Sequence, residues 1–163
     1  MGLPLPLVLD TTVLSNFSHA RRPDVVRHLS QGRALVPPAV MAELQAGVAY
    51  HGVPECDWSW LTVVVLTRTE AEWTSEWTLA LDPGEREALA VALHRKGTFC
   101  SDDMAARRVA AHLGIPLCGT VGLLIQAVKE GILFIQEADE MLHIMRSRGY
   151  RAPIGSLWDV IRE

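Results

Sequence analysis

The sequence is short of the residues that mark several protein classes. Its 163 residues include three cysteines, Cys56, Cys100 and Cys118, and no C-x-x-C pair. An odd number of cysteines at this spacing disfavours both a disulfide scaffold and a zinc site, so we expect free thiols in a reducing compartment. The six histidines are scattered, with no pair at the spacing of metal ligands, which also argues against zinc.

A membrane segment and an excess of positive charge are missing as well. No run of about 18 uncharged apolar residues occurs, and the opening "MGLPLPLVLDTT" has neither the basic region nor the apolar length of a signal peptide. We therefore expect a soluble, cytoplasmic protein that does not act at a membrane. A formal net charge of −4 disfavours binding of nucleic acid by bulk charge, but it is compatible with a local basic rim around an acidic pocket.

Short apolar runs alternate with longer helical segments along the chain. The runs that predict buried strands are "LPLVLD", "ALVPP", "LTVVVL", "GTFCS" and "IPLCG". Helices are predicted near residues 24–30, 38–49, 70–80, 84–96, 103–113, 120–131 and 137–147. This alternation indicates an α/β fold with a parallel sheet covered on both faces, and a chain that is 49 % hydrophobic is long enough for one domain with a substantial core.

Carboxylates stand at the ends of several of these elements. Asp10 follows the first strand, Glu85 begins the helix of "DPGEREALAVALH", and Asp102 and Asp103 follow the strand of "TFCSDD". The carboxyl ends of parallel strands and the starts of the following helices lie along one edge of a sheet, where ligands bind. Glu43 is the exception, because it falls about two turns into the helix of "PPAVMAELQAG". We expect these acids to converge.

Helix capping and metal binding both explain such acids. An aspartate at a strand end is accounted for as a helix N-cap worth about 1 kcal/mol, and Glu85 is accounted for as the capping-box partner of Asp82. Capping does not explain Glu43, which needs a partner of its own if it is half-buried. Several carboxylates around one pocket would raise each other's pKa, and Mg²⁺ or Mn²⁺ would remove that penalty.

The order of the acidic motifs resembles that of the PIN-domain nucleases. The segments that carry the resemblance are "LDTTVL", "VPPAVMAELQAG", "DPGEREALAVAL" and "FCSDDMAARRVAAHLGIPLCGTVGLLIQAVKEG". The last segment is similar to a branch that includes the VapC toxins of toxin-antitoxin pairs. The resemblance implies a three-layer α/β/α fold with a central parallel sheet of four or five strands. It also implies a single domain over residues 1–163, in which helices from about residue 136 cover the sheet or form a partner surface.

The same resemblance assigns roles to the acids. It implies Mg²⁺- or Mn²⁺-dependent hydrolysis of RNA, with Asp10, Glu43, Glu85 and Asp103 as the catalytic, metal-binding residues. Asp102 is a further metal-binding residue in a supporting role, and the order of the two neighbouring aspartates is open. Toxins of this type more often carry Asp at the position of Glu85, so Glu87 is the alternative third acid.

Four further residues receive supporting roles. Thr12 matches a hydroxyl position that orients the first acid, and Ser101 completes a Ser/Thr-x-Asp pattern with Asp103. Arg107 and Arg108 lie one turn past the aspartates, where they either contact phosphate or lie on a solvated helix face.

Relatives of this type suggest partners, and other function classes compete with the nuclease. An RNA substrate, a homodimer and a small antitoxin protein are the implied partners.

One alternative function is a catalytically weak PIN-like module that binds RNA or a protein. Another is a receiver-type phosphoacceptor domain, which is disfavoured because the acidic pair comes after residue 100 and "IPLCGT" contains no lysine.

Overall fold

A computed structural model describes residues 2–77 and 80–161 of the chain. The strands in this part are β1 (Leu7–Leu9), β2 (Ala34–Val36), β3 (Thr62–Val63), β4 (Thr98–Cys100) and β5 (Leu117–Cys118). The α-helices are α1 (Thr11–His19), α2 (Pro23–Ser30), α3 (Pro38–Tyr50), α4 (Arg68–Ser75), α5 (Pro83–His94), α6 (Met104–His112), α7 (Thr120–Lys129) and α8 (Ile135–Ser147), and a short 3-10 helix follows (Leu157–Asp159).

The five strands form one parallel sheet in the order β3-β2-β1-β4-β5. In the central strand, Val8 is paired with Leu35 of β2 and Phe99 of β4. All three residues of β1 are 0 % exposed. Because successive strand residues point to opposite faces, their complete burial means that both faces of the sheet are covered. The fold is therefore a three-layer α/β/α sandwich, which confirms the prediction from the sequence.

The helices pack in groups around this sheet. Helix α5 packs against α3, α4 and β1, and α7 packs against α2 and α8. The five residues from Ala88 to Ala92 in the middle of α5 are all buried, which makes α5 the most deeply embedded stretch of helix near the central strands. Near the C-terminus, α8 packs against α1 and α7, and the 3-10 helix seats the fully buried Leu157 against α8.

Helix α1 is absent from the elements predicted from the sequence. Its residues, "TTVLSNFSH", are rich in Thr, Val, Ser and Asn, which are weak helix formers. Packing compensates for the weak propensity, because Val13, Leu14 and Phe17 are 0 % exposed and face the core. Tertiary burial thus stabilises a helix that local sequence preference does not predict.

Helix α4 also differs from the prediction. It spans Arg68–Ser75 rather than 70–80, and it begins early because Thr67 caps it in a capping box with Glu70. Residues 78 and 79 of the predicted helix lie outside the described residues.

Two expectations from composition can be compared with the structure. The three cysteines Cys56, Cys100 and Cys118 are free thiols, as predicted. Across residues 2–77 and 80–161, none of the helices has the length and apolar character needed to span a bilayer.

Candidate active site

A cavity of about 510 Å³ opens at the carboxyl edge of the sheet, beyond the ends of β1 and β4. Acidic side chains from four parts of the chain line it: Asp10, Glu43, Asp82, Glu85, Asp102 and Asp103. All five acids singled out from the sequence are therefore brought to one pocket, together with Asp82.

Asp10 is the most deeply buried of these acids, at 2 % exposure. It ends β1 and caps α1, where its Oδ1 accepts a hydrogen bond from the backbone N–H of Thr11 at 2.8 Å. Its Oδ2 accepts a hydrogen bond from the hydroxyl of Ser101 at 2.7 Å. The pKa of Asp10 is raised to about 7, chiefly by burial and to a smaller extent by the charges of Asp82 and Glu43, while the two hydrogen bonds lower it.

Glu43 reaches the pocket from α3 and bridges the starts of two other helices. Its Oε2 accepts a hydrogen bond from the hydroxyl of Thr11 at 2.6 Å, and its Oε1 accepts one from the backbone N–H of Gly84 at 3.1 Å. A Cβ atom at Gly84 would lie 2.6 Å from Oε1 of Glu43, too close for any side chain. The glycine of "DPGE" therefore makes room for the carboxylate, and Glu43 has the partners that its position requires.

Glu85 combines a capping role with a place in the pocket. Its backbone N–H donates to Asp82 Oδ1 at 2.8 Å, and its own Oε2 accepts from the backbone N–H of Asp82 at 3.1 Å, so the predicted capping box is present. The pKa of Glu85 is raised to about 8, first by burial and then by the charges of Asp82, Asp103 and Asp10. The side chain of Glu85 therefore both caps α5 and belongs to the acidic cluster of the pocket.

Glu87, the alternative third acid, lies elsewhere. Its Oε2 accepts a hydrogen bond from the backbone N–H of Ala39 at 2.7 Å, in the first turn of α3. Glu87 does not line the acidic cavity, whereas Glu85 does. The geometry favours Glu85 as the acid that takes part in the cluster.

Asp102 is surrounded by donors. Its Oδ1 accepts from the backbone N–H of Thr120 at 2.8 Å and from the hydroxyl of Tyr150 at 3.3 Å. Its Oδ2 accepts from the hydroxyl of Thr120 at 2.5 Å and from the amide of Asn16 at 3.1 Å. A carboxylate offers about four lone-pair positions, so these donors occupy them all. A Cβ atom at Gly119 would lie 2.9 Å from Asp102 Oδ1, which explains a glycine before Thr120.

Asp103 is held more loosely than its neighbour. Its Oδ2 caps α6 by accepting from the backbone N–H of Ala106 at 2.9 Å, and no donor within residues 2–77 and 80–161 reaches its Oδ1. Ser101 connects this acid to the first one, because its hydroxyl donates to Asp10 and accepts from the backbone N–H of Asp103 at 3.1 Å. Asp103 thus keeps an oxygen available, and Asp102 does not.

Three of the supporting residues expected from the sequence are Thr12, Arg107 and Arg108. The hydroxyl of Thr12 accepts from the backbone N–H of Asp102 at 3.0 Å, so it holds the turn after β4, and its expected role in orienting Asp10 stays a prediction. Arg107 turns to the backbone carbonyl of Ser101 at 3.0 Å, and Arg108 is exposed. Neither arginine lines the acidic cavity.

The two arginines that line this cavity come from a segment to which the sequence motifs assign no role. Arg148 and Arg151 flank Gly149 and Tyr150 directly after α8, and all four line the pocket. Gly149 has a φ of +106°, a conformation that turns the chain sharply after the helix. The only signal in the sequence is a pair of arginines around Gly-Tyr, which has no meaning until the fold brings it beside the acids.

The acids fit a hard divalent cation by their chemistry. Oxygen ligands of this kind suit Mg²⁺ or Mn²⁺, and no ion pair with Lys, Arg or His within the described ranges neutralises any of them. In residues 2–77 and 80–161, however, no three Asp, Glu, His or Cys side chains are drawn together as a ready-made ligand set. Mg²⁺ commonly binds through one or two carboxylates and keeps several waters, so the arrangement suits this ion without a closed cage.

A family model described as a PIN domain matches residues 6–163. The chain belongs to the PIN-domain family. The match includes every strand of the sheet and every acid of the cavity, and PIN domains are generally nucleases, which supports a hydrolase at this coarse level. No curated protein matches the chain. The resemblance to the VapC branch stays a prediction.

Proposed function

We propose that this PIN domain is an endoribonuclease that hydrolyses RNA phosphodiester bonds with Mg²⁺ or Mn²⁺. The observation that carries the proposal is the convergence of Asp10, Glu43, Glu85 and Asp103 on one cavity at the carboxyl edge of the sheet. Burial and mutual repulsion raise the pKa of Asp10 to about 7 and that of Glu85 to about 8, which is the electrostatic condition that a bound cation relieves.

The acids have different roles in this proposal. Asp10, Glu85 and Asp103 would hold the cation directly or through water, since the charges of Asp10 and Asp103 both act on Glu85. Glu43, which accepts a hydrogen bond from the backbone N–H of Gly84, would add a further carboxylate to the site. The oxygens of Asp102 are already occupied by donors, so Asp102 positions the turn after β4 and supports the site. When bound, the cation would activate water for in-line attack and stabilise the charge that develops on the phosphate.

The chain's own residues prepare the site for this chemistry. Ser101 keeps Asp10 and Asp103 in register, and Thr11 holds the Glu43 carboxylate, so the ligands need little rearrangement. The raised pKa of Glu85 keeps that group largely protonated near neutral pH, so Glu85 would lose its proton on binding a cation and would bind it more tightly as the pH rises.

A second candidate function is a PIN domain that binds RNA or a protein without cleavage. The observation that favours it is the lack of a preformed group of three metal-binding side chains within the described residues. It differs from the nuclease in one measurable respect, because it requires no affinity for a divalent cation.

A toxin-type assignment adds partners to the proposal. In that case Arg107 or Arg108 would contact RNA phosphate outside the acidic cavity, a homodimer would form, and a small antitoxin would inhibit the enzyme. Exposed apolar side chains near the C-terminus support a protein contact: Phe134 is 77 % exposed, Ile144 is 43 % exposed and Trp158 is 45 % exposed.

Cleavage of a mixed RNA pool with Mg²⁺ or Mn²⁺ tests the proposed activity. We expect Asp10→Asn to slow cleavage by about a hundredfold or more, because one charge of the cluster is lost while the shape is kept. Asp159→Asn changes an exposed carboxylate away from the cavity and is expected to cleave like the wild type. EDTA should stop the wild-type reaction.

Two results would contradict this proposal. Equal cleavage by Asp10→Asn and wild type would remove the acids from the mechanism. RNA binding without cleavage, combined with no Mg²⁺-induced rise in the thermal midpoint of the wild type, would establish the non-cleaving module instead.

A further inference from the structure

A second cavity, of about 880 Å³, lies directly beside the acidic one. The two cavities share Asp102, Asp103, Tyr150 and Arg151 in their walls. Because these residues belong to both, the cavities are two parts of one groove, and the acids lie at one end of it.

The second cavity has an apolar floor and a basic edge. Met104, Leu117 and Val121 provide apolar surface, and Met104 is 60 % exposed although it is a large apolar side chain. Arg107 and Arg151 are its cations. An apolar surface next to a positive edge matches a nucleotide, whose base has apolar faces and whose phosphate is an anion.

The two arginines are placed differently. The Arg107 guanidinium is anchored on the carbonyl of Ser101 at 3.0 Å, and a Cβ atom at Gly119 would lie 3.0 Å from its Nη1. Arg151 is exposed, and no hydrogen bond or ion pair holds its side chain within the described residues. The preceding residue fixes its backbone position, because Tyr150 donates its hydroxyl to Asp102. Arg151 is therefore a free cation on a tethered segment, beside the acids.

We propose that the second cavity is a subsite for an unpaired RNA nucleotide next to the bond that is cleaved, with its base on Met104 and its phosphate on Arg151. The proposal rests on the proposed function, since it takes the acidic cavity as the place of cleavage. The nucleotide must be unpaired, because in a duplex the faces of each base are covered by its neighbours and the base cannot reach the apolar floor. The local arginines also explain how a chain of net charge −4 binds a polyanion.

The test measures binding rather than cleavage. A fluorescein-labelled single-stranded RNA is titrated with protein in EDTA, and fluorescence anisotropy gives Kd over a series of salt concentrations. Arg151→Gln is expected to weaken binding about tenfold and to lower the slope of log K against log salt by about 0.7, the value for one phosphate contact on a single strand. The matched control is Arg33→Gln, which changes an exposed arginine just before β2 at the opposite edge of the sheet. It should leave both Kd and the salt slope unchanged.

A second variant tests the base contact. Met104→Ala is expected to weaken binding by about two- to tenfold without a change in the salt slope, because a contact with an aromatic base is lost and no charge is removed. A duplex of the same RNA sequence should bind more weakly than the single strand to the wild type, and a single-stranded DNA should not bind more tightly than RNA.

These outcomes separate the subsite from the nuclease activity. If Arg151→Gln and Met104→Ala bind like Arg33→Gln, or if duplex RNA binds as well as the single strand, the subsite is refuted even if the wild type cleaves RNA. Tighter binding of DNA than of RNA would reassign the occupant and also refute it. If both variants behave as expected and RNA is not cleaved with Mg²⁺ or Mn²⁺, the nuclease proposal fails, and the second cavity stands as a binding site for an unpaired nucleotide without a cleaved bond beside it.

Discussion

Buried carboxylates are stabilised in two different ways in this protein. Glu70 is 1 % exposed and forms an ion pair with Arg95 at 2.9 Å. Asp10 and Glu85 are also buried, at 2 % and 8 % exposure, but their polar partners are backbone N–H groups and one hydroxyl. An unpaired buried charge is costly, and structural positions avoid it. This contrast is expected if Asp10 and Glu85 serve the proposed chemistry and Glu70 serves the structure.

The raised pKa values predict how stability changes with pH when no metal is present. For Asp10 the folded-state pKa of about 7 exceeds the ordinary value of 3.8, and for Glu85 a value of about 8 exceeds 4.5. Their contribution to the stability of the folded state is therefore complete below about pH 4 and is lost as the pH rises through 7 and 8. Asp10→Asn removes one of these groups. In EDTA, we expect its free energy of unfolding to exceed that of the wild type by about 2–4 kcal/mol at pH 8, with little difference at pH 4.

Urea unfolding in EDTA at several pH values measures this difference. Glu76→Gln, which changes an exposed carboxyl group, should follow the wild-type curve. A difference between Asp10→Asn and wild type that stays constant from pH 4 to pH 8 would show that Asp10 does not titrate in this range.

At the scale of elements, the site is made from helix N-termini. Asp10 caps α1, Asp82 and Glu85 form the capping box of α5, and Asp103 caps α6. Asp102 accepts the first backbone N–H of α7. The positive ends of four helix dipoles therefore meet at one edge of the sheet, and each favours a nearby carboxylate. Capping and cation binding are thus compatible explanations of these acids, because the same geometry serves both.

The contact between α3 and the start of α5 predicts the effect of a single methyl group. In Gly84→Ala the new Cβ would lie 2.6 Å from Oε1 of Glu43, so the carboxylate must move away from its place. We expect RNA cleavage to fall about a hundredfold, as for other misplacements near 1 Å, and the Mg²⁺-induced rise in thermal midpoint to shrink. The fold itself should remain, because alanine suits a helix start better than glycine.

Gly155→Ala provides the control for this variant. A Cβ atom there has Arg146 Nη1 as its nearest neighbour, at 3.9 Å, which is an ordinary contact. It should cleave RNA at the wild-type rate, and wild-type cleavage by Gly84→Ala would show that the position of Glu43 does not matter for activity.

At the scale of the whole molecule, the groove that contains the acids is distinct from the exposed apolar side chains near the C-terminus. The formal net charge is −4, yet Arg107, Arg148 and Arg151 lie around the groove that contains the acids. Exposed apolar side chains lie on α8 and the 3-10 helix, where Ile144 and Trp158 are 43 % and 45 % exposed. The groove and the apolar surface involve different residues, so we expect substrate and protein partner to use different parts of the molecule.

The apolar surface on α8 predicts self-association. Light scattering after size exclusion should give a mass of twice 18.0 kDa for the wild type and a monomer for Ile144→Lys, since a charge at a buried contact opposes association. Val65→Lys changes another exposed apolar residue, 86 % exposed after β3, and should remain dimeric. A monomeric wild type would refute the homodimer, and a dimeric Ile144→Lys would place the contact elsewhere.

The features that the sequence by itself determined are local ones. Apolar runs such as "LPLVLD" predict buried strands, because successive residues of a strand face opposite sides of the sheet and both sides are covered. The stretch "LDPGE" predicts a capping box, because its hydrogen bonds join residues only three positions apart. The parallel sheet and the placement of acids at strand ends and helix starts follow from such patterns. The sharing of one cavity was expected only through the family resemblance and the general geometry of parallel sheets, and the strand order was not predicted at all.

Only the tertiary structure decided which side chains meet across the chain. Helix α1 forms because Leu14 and Phe17 are buried, although its local propensity is weak. Tyr150 reaches Asp102, 48 residues away, and thereby brings Arg151 to the groove. Thr12 likewise accepts a hydrogen bond from the backbone of Asp102, 90 residues away. Contacts of this kind depend on how whole elements pack, and neither periodicity nor capping patterns in a single sequence contain that information.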